Sequence, residues 1–325
     1  LETKNWTLDA QEGFESAREQ HQEKSRGEAK LDPMAAFRGM NLPAGSFQGY
    51  DCLVTESTIG AVVSRSGPDS MPESKVDTIS EGESAAIVLD RTPFYAEKGG
   101  QVGDTGVITG PDGGIFTVED TQEPVPSVIV HLGKVERGQF RVGDRVEASV
   151  DSPRRIEIAR NHTATHLLHK ALRTVVGEHA RQAGSRVAPD GLRFDFTHLA
   201  ALSEQELQDV QRLVNEDIRA NLPVTATAME YEEALDRGAI ALFGEKYSDR
   251  VRMVSAGDRS HELCGGTHLL STGQIGLFHI LSESSIGSGL RRIEAVTGQG
   301  AEEFRGERCR ILKEVADVLQ TSPER

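Results

Sequence analysis

The hydrophobic pattern changes its period at Ser152-Pro153, and this change restricts the chain to a fold with two unlike parts. Between Gly49 and Val150 the apolar residues form short β-type runs, separated by turn sequences such as Gly110-Pro111-Asp112-Gly113-Gly114. We expect these runs to form a small β-barrel, and the polar stretch 64–83 to be a long loop within it. The predicted strands are 51–55, 85–89, 106–109, 115–119, 128–131 and 146–150.

After Pro153 the pattern becomes helical. Residues 154–176 place Ile158, Leu168 and Leu172 on one apolar face, and Ser203 with Glu206 forms a capping-box sequence that begins a second helix ending near 221. Strand-like runs follow at 224–229, 251–254, 275–281 and 290–296, and a final amphipathic helix is predicted at 301–319. This second part therefore predicts a two-layer domain with an antiparallel sheet, and the fold class is α+β.

The length of 325 residues, with 37% hydrophobic content, is enough for about two domains. We expect an N-terminal helical or linker segment at 1–45, in which the charged residues 9–30 form a solvated helix. The barrel is expected at 46–152, a metal-containing domain at 153–300, and a C-terminal helix at 301–325 that leads to a further domain. Leu1 in place of an initiator Met indicates a piece of a longer protein.

The compartment is predicted from what the sequence lacks. No apolar run approaches the roughly 20 residues of a membrane span, and residues 1–7 lack the order of a signal peptide. The cysteines Cys52, Cys264 and Cys309 are odd in number and far apart, which disfavours a disulfide framework and allows a thiolate ligand. We therefore expect a cytosolic protein.

The formal net charge of −15 disfavours a general nucleic-acid coat protein, because nonspecific backbone binding needs a basic surface. Any contact with RNA must then be local. The candidates, each of which can equally be an ordinary surface charge, are Arg154, Arg155, Arg160, Arg186, Arg193, Arg291 and Arg292.

The first candidate metal ligands lie in His162-Thr163-Ala164-Thr165-His166. Positions four apart share one face of a helix, so both imidazoles can reach one ion. This spacing alone is weak evidence, since two helical histidines often have only a structural role. A zincin protease would carry Glu directly after the first His, whereas this chain carries Thr163, which disfavours that class.

A second half-site lies in Cys264-Gly265-Gly266-Thr267-His268, whose glycines let a tight turn bring thiolate and imidazole to one point. Together the two halves supply three histidines and one cysteine. The nucleobase-deaminase and zinc-ribbon patterns do not occur. We therefore predict a zinc centre, with His169 as a packing or supporting residue and the role of His261 left open.

Three further segments admit two interpretations each. Gln182-Ala183-Gly184-Ser185 either lines a polar pocket or is an ordinary loop. Arg193-Phe194-Asp195-Phe196 alternates as a strand does, which places its two Phe residues in the core. The segment 91–101 contains Pro93 and Gly99-Gly100 and is typical of a structural turn.

In order and spacing, these motifs resemble the editing region of the alanyl-tRNA synthetase family and its free-standing AlaX relatives. The resemblance covers nearly all of the chain after about Gly49. The matching segments are 92–95, 99–101, 162–169, 182–185, 193–196, 241–247, 262–268 and 291–294. It implies a barrel beside an editing core that hydrolyses mischarged tRNA(Ala), and no amino-acid activation by this chain.

The resemblance also implies roles for single residues. Zinc is implied at His162, His166, Cys264 and His268. Thr165, Gln182 and Ser185 are implied as catalytic residues near the aminoacyl group. The residues assigned to substrate contact are Thr92, Gln101, Gly184, Arg193 and Asp195.

Selectivity for serine over alanine needs a partner for one hydroxyl, and the resemblance places Thr92 facing the zinc site. We therefore expect Thr92 to read that hydroxyl, with Gln101 as support. The expected partner is the acceptor end of tRNA(Ala), and self-association is left open. Three alternatives remain: a free-standing deacylase, a threonyl-tRNA editing domain, and a noncatalytic RNA-binding module with structural zinc.

Overall fold

The computed structural model describes residues 34–67, 72–241 and 247–322. Its first helix, α1 (Ala35–Arg38), is a single turn that buries Phe37 in a cluster with Val63 and Val88. The solvated helix predicted at 9–30 lies outside the described residues, so that expectation stays a prediction.

The first part of the chain is a closed antiparallel barrel. Its six strands are β2 (Val54–Arg65), β5 (Ser84–Leu89), β7 (Gly106–Thr109), β8 (Ile115–Val125), β9 (Val128–Arg137) and β11 (Arg145–Val150). They pair in the order β11-β7-β8-β9-β5-β2, and β2 pairs back to β11, which leaves no open edge. Alternate residues point inward and fill the barrel with side chains such as Ile87, Phe116 and Phe140. The same part of the chain also contains short strands outside the six of the barrel: β1 (Ser46–Phe47), β3 (Pro72–Val76), β4 (Thr78–Ser80), β6 (Arg91–Thr92) and β10 (Gln139–Arg141).

Two local expectations for the barrel were wrong. The strand predicted at 51–55 is β2, which begins at Val54 and continues to Arg65. Its pairing with β5 shifts register between Ile59 and Ala61, so a bulge at Gly60 interrupts the alternation that the sequence pattern relies on. The predicted loop 64–83 contains β3 and β4, because β3 extends β2 as a hairpin partner; residues 68–71 lie outside the described ranges.

The second part packs two helices on an antiparallel sheet. The helices are α2 (Ser152–Val175) and α3 (Glu204–Arg219). Asp151 caps α2 by accepting from the backbone N–H of Arg154 at 3.1 Å, and Ser203 with Glu206 closes the predicted capping box of α3. Both helices pack on the sheet through a core that includes Leu168, Val214, Phe194 and Phe278.

The strands of the second part form two separate sheets. Their bounds are β12 (Gln182–Ala188), β13 (Gly191–Thr197), β14 (Val224–Glu230), β15 (Arg250–Ala256), β16 (Ser260–Leu263), β17 (Phe278–Gly287) and β18 (Leu290–Thr297), with α4 (Tyr231–Asp236) after β14 and α5 (Gly298–Val318) last. The four-stranded sheet has the order β12-β13-β18-β17 and the three-stranded sheet the order β14-β15-β16, with every pairing antiparallel. This confirms the predicted α+β class.

Two expectations for this part also need correction. The loop interpretation of 182–185 was wrong, since these residues begin the edge strand β12. The strand predicted at 275–281 starts later, at Phe278, because Thr272–Ile275 forms a 3-10 turn.

The barrel docks on the second part through two buried connections. Backbone hydrogen bonds join Val187 N to Gly100 O at 2.7 Å and Val102 N to Val187 O at 3.0 Å, so residues 100–102 run beside β12. Arg155 of α2 enters the barrel, where it pairs with buried Asp104 and donates to the carbonyl of Pro93 at 2.9 Å. Arg155 is therefore a structural residue and not the RNA contact that the sequence suggested.

Among the described residues, no helix is both long and apolar enough to cross a membrane.

Candidate metal centre

One face of α2 carries the histidines. His162 and His166 lie one turn apart and are each 5% exposed, while the spacing of 155, 159, 162, 166, 169 and 173 places all these positions on the same side of the helix. Ala159 leaves room on this face next to His162. A buried polar stripe of this kind must find its partners on the elements that cover it.

The covering element is the turn that follows β16. Cys264 N–H donates to Arg252 O at 3.0 Å, and Arg252 Nη1 donates back to the carbonyls of Cys264 and Gly266 at 2.9 and 3.0 Å. The Tyr50 hydroxyl of the barrel donates to Gly265 O, and the Arg252 guanidinium lies 4.1 Å from the Tyr50 ring centroid. The turn is thus held from two sides.

The structure brings the four predicted ligands to one point. One candidate ligand atom from each of the four residues lies within 4.8 Å of the others. Cys264 Sγ is 3.4 Å from His162 Nε2 and 3.4 Å from His268 Nε2. Two such ligands on a tetrahedral zinc would be about 3.5 Å apart, given Zn–S and Zn–N bonds of about 2.3 and 2.0–2.1 Å. The donor set fits a metal ion with little rearrangement.

The turn can approach α2 only because position 266 has no side chain. A Cβ on Gly266 would lie 2.0 Å from His162 Cε1 and 2.4 Å from His162 Nδ1. A Cβ on the neighbouring Gly265 would meet only the Tyr50 hydroxyl, at 3.9 Å. The two glycines of the motif therefore have different roles, and only Gly266 sets the distance between the two half-sites.

Two ligands are oriented by hydrogen bonds at their second nitrogen. His162 Nδ1 donates to Gln101 Oε1 at 2.7 Å, and buried Gln101 is itself held by Thr267, through Nε2 to Oγ1 at 2.9 Å. His268 Nδ1 lies 3.2 Å from Thr163 Oγ1. With Nδ1 protonated, each ring presents an unprotonated Nε2 to Cys264. Gln101 therefore orients a candidate ligand, and its expected contact with substrate stays a prediction.

Burial sets the protonation of the histidines. It lowers the pKa of both His162 and His268 well below its ordinary value, and the neighbouring histidines and Arg252 lower each further. Burial also lowers the pKa of His166, although Glu262 opposes that shift. Neutral imidazoles at neutral pH are the form that coordinates a metal.

Glu262 is a buried carboxylate that sequence reasoning missed. Its Oε1 accepts from His169 Nδ1 at 3.0 Å, and its Oε2 lies 3.6 Å from His166 Nε2. Burial raises the pKa of Glu262, but His166 and His169 outweigh that effect and leave it below the ordinary value. Two signals were available in the sequence: its position two residues before Cys264 and its place in the matching segment 262–268.

The three predicted catalytic residues, Thr165, Gln182 and Ser185, each hydrogen-bond to another residue of the chain. Thr165 donates its hydroxyl to Asn161 O at 2.8 Å within α2, which uses the only proton it could offer to a substrate. Gln182 Nε2 donates to Ser185 Oγ at 3.1 Å, and Gln182 lines a cavity of about 300 Å³ together with His169.

Asp195 and Gly184 form a neighbouring cluster on β12 and β13. Asp195 accepts two hydrogen bonds from Arg292 at 2.7 and 2.8 Å, and Arg193 Nε lies 3.9 Å from Asp195 Oδ2. A Cβ on Gly184 would lie 3.5 Å from Asp195 Oδ2. Asp195 and Arg292 therefore form an ion pair. Arg291 is likewise paired, with Glu283, so neither Arg291 nor Arg292 is available as a simple RNA contact.

Thr92, which the resemblance places facing the metal site, has its hydroxyl bonded within the barrel domain. Thr92 is fully buried in the barrel, and its hydroxyl lies 2.7 Å from His131 Nε2. His131 Nδ1 lies 2.9 Å from Ile87 O and must donate to it, so Nε2 accepts from Thr92. Burial lowers the pKa of His131 to about 4, which keeps the ring neutral at pH 7. The backbone N–H of Phe94 also donates to Thr92 Oγ1, at 3.1 Å.

Thr92→Val is therefore expected to act on stability and not on selectivity. The change leaves His131 Nε2 buried without a donor, which should lower the free energy of unfolding by about 1–3 kcal/mol. Urea unfolding measures this loss. If the chain hydrolyses seryl and glycyl esters, as the resemblance implies, the folded variant should change both rates by the same factor, and a loss confined to the seryl ester would contradict this assignment.

The comparisons with known proteins agree with the fold. The family model described as tRNA synthetases class II (A) matches residues 1–154. The model described as threonyl and alanyl tRNA synthetase second additional domain matches residues 251–294, which include Cys264 and His268. The alanine–tRNA ligase of Chloroflexus aurantiacus is 47% identical over 331 residues, which cover 96% of this chain and 36% of the relative. The chain belongs to the alanyl-tRNA synthetase family.

Other members of the alanyl-tRNA synthetase family give the same picture. The alanine–tRNA ligase of Geobacillus thermodenitrificans is 47% identical over 315 residues, or 96% of this chain and 35% of the relative. The alanine–tRNA ligase of Dehalococcoides mccartyi strain CBDB1 is 46% identical over 322 residues, which cover 96% of this chain and 36% of that relative. The chain thus spans about a third of the length of these relatives. Their names favour the alanine over the threonine alternative.

Proposed function

We propose that this chain hydrolyses the ester between a wrongly attached amino acid and the acceptor end of tRNA(Ala), as the editing part of an alanine–tRNA ligase in the cytoplasm. The substrates are the seryl and glycyl esters. The observation that carries the proposal is the convergence of three histidines and one cysteine in a member of the alanyl-tRNA synthetase family. The barrel domain would span 46–152 and the editing domain 153–300.

The family has a chemical need for this activity. A site shaped for alanine cannot exclude glycine by size, and it rejects serine, which adds one hydroxyl, only to a limited extent. This limit is a known property of aminoacyl-tRNA synthetases as a class, and a second hydrolytic site removes the resulting errors. The same chemistry would serve a free-standing deacylase.

The donor set favours zinc as the cofactor. One thiolate and three neutral imidazoles suit a tetrahedral zinc ion better than magnesium or calcium, which prefer oxygen ligands. When bound, zinc would polarise or orient the ester. Four protein ligands close its coordination sphere, which favours substrate positioning as its role.

The residues of this chain supply the remaining steps. Gln101 and Thr163 hydrogen-bond to the rings of His162 and His268 and so orient both rings toward Cys264. Gln182 donates its amide to the Ser185 hydroxyl at 3.1 Å, and this pair at the start of β12 can hydrogen-bond to the aminoacyl group. Of the three predicted catalytic residues, we retain Gln182 and Ser185 in this proposal. We leave out Thr165, because its hydroxyl donates to Asn161 O within α2.

The test compares hydrolysis of seryl-, glycyl- and alanyl-tRNA(Ala) by the metal-loaded protein and by protein treated with a chelator. We expect the alanyl ester to be at least about tenfold slower than the seryl ester, because a recognised hydroxyl discriminates well. The chelator should remove the activity, and added zinc should restore it. A metal-loaded protein that hydrolyses none of the esters would instead support the noncatalytic module with structural zinc, which the closed ligand set also fits.

A further inference from the structure

A small cavity opens on α2 beyond the metal centre. Its volume is about 300 Å³, and its walls include His169, Arg173, Arg181, Gln182 and residues 238–241. His169 and Arg173 continue the helix face that carries His162 and His166. The cavity is therefore the continuation of the metal centre toward the carboxyl end of α2.

Two polar atoms at this cavity lack protein partners. His169 is 1% exposed, and its Nδ1 donates to Glu262, but its Nε2 has no hydrogen bond to any residue in the described ranges. Arg173 Nε is also buried, and it too has no partner there. Buried polar atoms in native proteins are nearly always paired, so unpaired ones that line a cavity indicate a ligand.

The charge of the cavity indicates the chemistry of that ligand. Its described lining holds two arginines and no carboxylate, although the whole chain carries 51 acidic against 36 basic residues. Guanidinium groups suit phosphate because they donate several hydrogen bonds in one plane. Glu262 lies behind this lining, where it accepts from His169 and offsets the charge of Arg173, and Arg181 leaves the cavity with one net positive charge for one anionic group.

The larger cleft near the metal centre does not compete for this role. It measures about 970 Å³ and contains Arg155, Arg160 and Arg252. Each of these already donates to protein acceptors: Arg155 to Asp104, Arg160 to Gln274 O at 3.0 Å, and Arg252 to the turn carbonyls. Its remaining walls are largely apolar. Of the arginine nitrogens that line these two cavities, the buried one without a partner in the described residues, Arg173 Nε, lies in the smaller cavity.

We propose that Arg173 and Arg181 bind a phosphate of the RNA acceptor end, on the 5′ side of the terminal nucleoside, and that His169 Nε2 hydrogen-bonds to the same nucleotide. Arg173 lies seven residues after His166, or about 10 Å along the helix axis. Allowing for the reach of the arginine side chain, this separation corresponds to one nucleotide. The proposal rests on the proposed function, because it places the terminal ester at the metal centre.

The first test measures binding without any reaction. Adenosine 5′-monophosphate and adenosine, which differ only in the phosphate, are titrated into the zinc-loaded protein by NMR. We expect the monophosphate to bind at least about tenfold more tightly, which corresponds to one charge-assisted phosphate contact. Arg173→Gln should remove this preference while the zinc content and the circular dichroism spectrum stay unchanged. The control is Arg212→Gln, an equal charge change on exposed α3, which should keep the preference.

The second test uses the deacylation reaction. Arg173→Gln should raise KM for seryl-tRNA(Ala) about tenfold with little change in kcat, and should reduce the slope of log affinity against log salt by about 0.7, the value for one phosphate of a single strand. If deacylation occurs but the monophosphate shows no preference over adenosine, the phosphate site is wrong and the function stands. If the preference exists and no ester is hydrolysed, the phosphate site stands and the function is wrong. Retention of the preference by Arg173→Gln also overturns the assignment.

Discussion

Replacing Cys264 by Ala is expected to remove bound metal and ester hydrolysis together. The thiolate is the only anionic ligand among the four, and its Sγ lies at 3.4 Å from the Nε2 atoms of two of the others, so its loss leaves three neutral imidazoles. Zinc content should fall from about one per chain to a small fraction, and deacylation should fall at least about 100-fold, since three ligands bind far more weakly than four. Elemental analysis and a deacylation assay on one preparation measure both quantities.

The chain offers a matched control for this variant. Cys309 is an exposed cysteine on α5, so Cys309→Ala removes the same thiol from a surface position. It should keep full metal and full activity. If Cys264→Ala retains zinc and hydrolyses the seryl ester at the normal rate, the ligand assignment is wrong. If it loses zinc and keeps its activity, the metal is structural and the reaction belongs to the side chains alone.

The cluster of three histidines and one cysteine was predictable because each half-site is local. The spacing of His162 and His166 is a property of any helix, and the glycines between Cys264 and His268 allow a turn whatever surrounds it. What the sequence could not supply is the distance between the halves. That depends on Arg252 and Gln101, which lie more than 10 and 60 residues away from their partners, and no local pattern around either residue indicates that pairing.

The same limit applies to two side chains whose partners the sequence did not predict. Arg155 looks like a surface charge on an exposed helix start, and only the closed barrel supplies Asp104 to bury it. Thr92 was placed by resemblance in the substrate site, yet its partner is His131 on a strand 39 residues later. In both cases the pairing residue lies in another element, and neither local pattern nor spacing records such a pairing.

The second large effect is expected from Gly266→Ala, because the new methyl group would lie 2.0 Å from His162 Cε1 and 2.9 Å from Gln101 Oε1. The turn cannot retreat easily, since Arg252 holds the carbonyls of Cys264 and Gly266. His162 must therefore rotate away from the metal position and from Gln101. We expect zinc affinity to fall by about 10–100-fold, as for loss of a supporting hydrogen bond at a ligand, and stability to fall by about 1–3 kcal/mol from overpacking.

Gly265→Ala separates this clash from any general effect of replacing a glycine in the turn. Neither glycine has a positive φ, so Ala is compatible with the backbone at both positions, and the methyl group at 265 would meet only the Tyr50 hydroxyl at 3.9 Å. Competition with a chromophoric chelator gives the zinc affinity of each variant. Gly265→Ala should match the unaltered protein. Equal losses in the two variants would show that flexibility of the turn, and not the approach of Gly266 to His162, sets the affinity of the site.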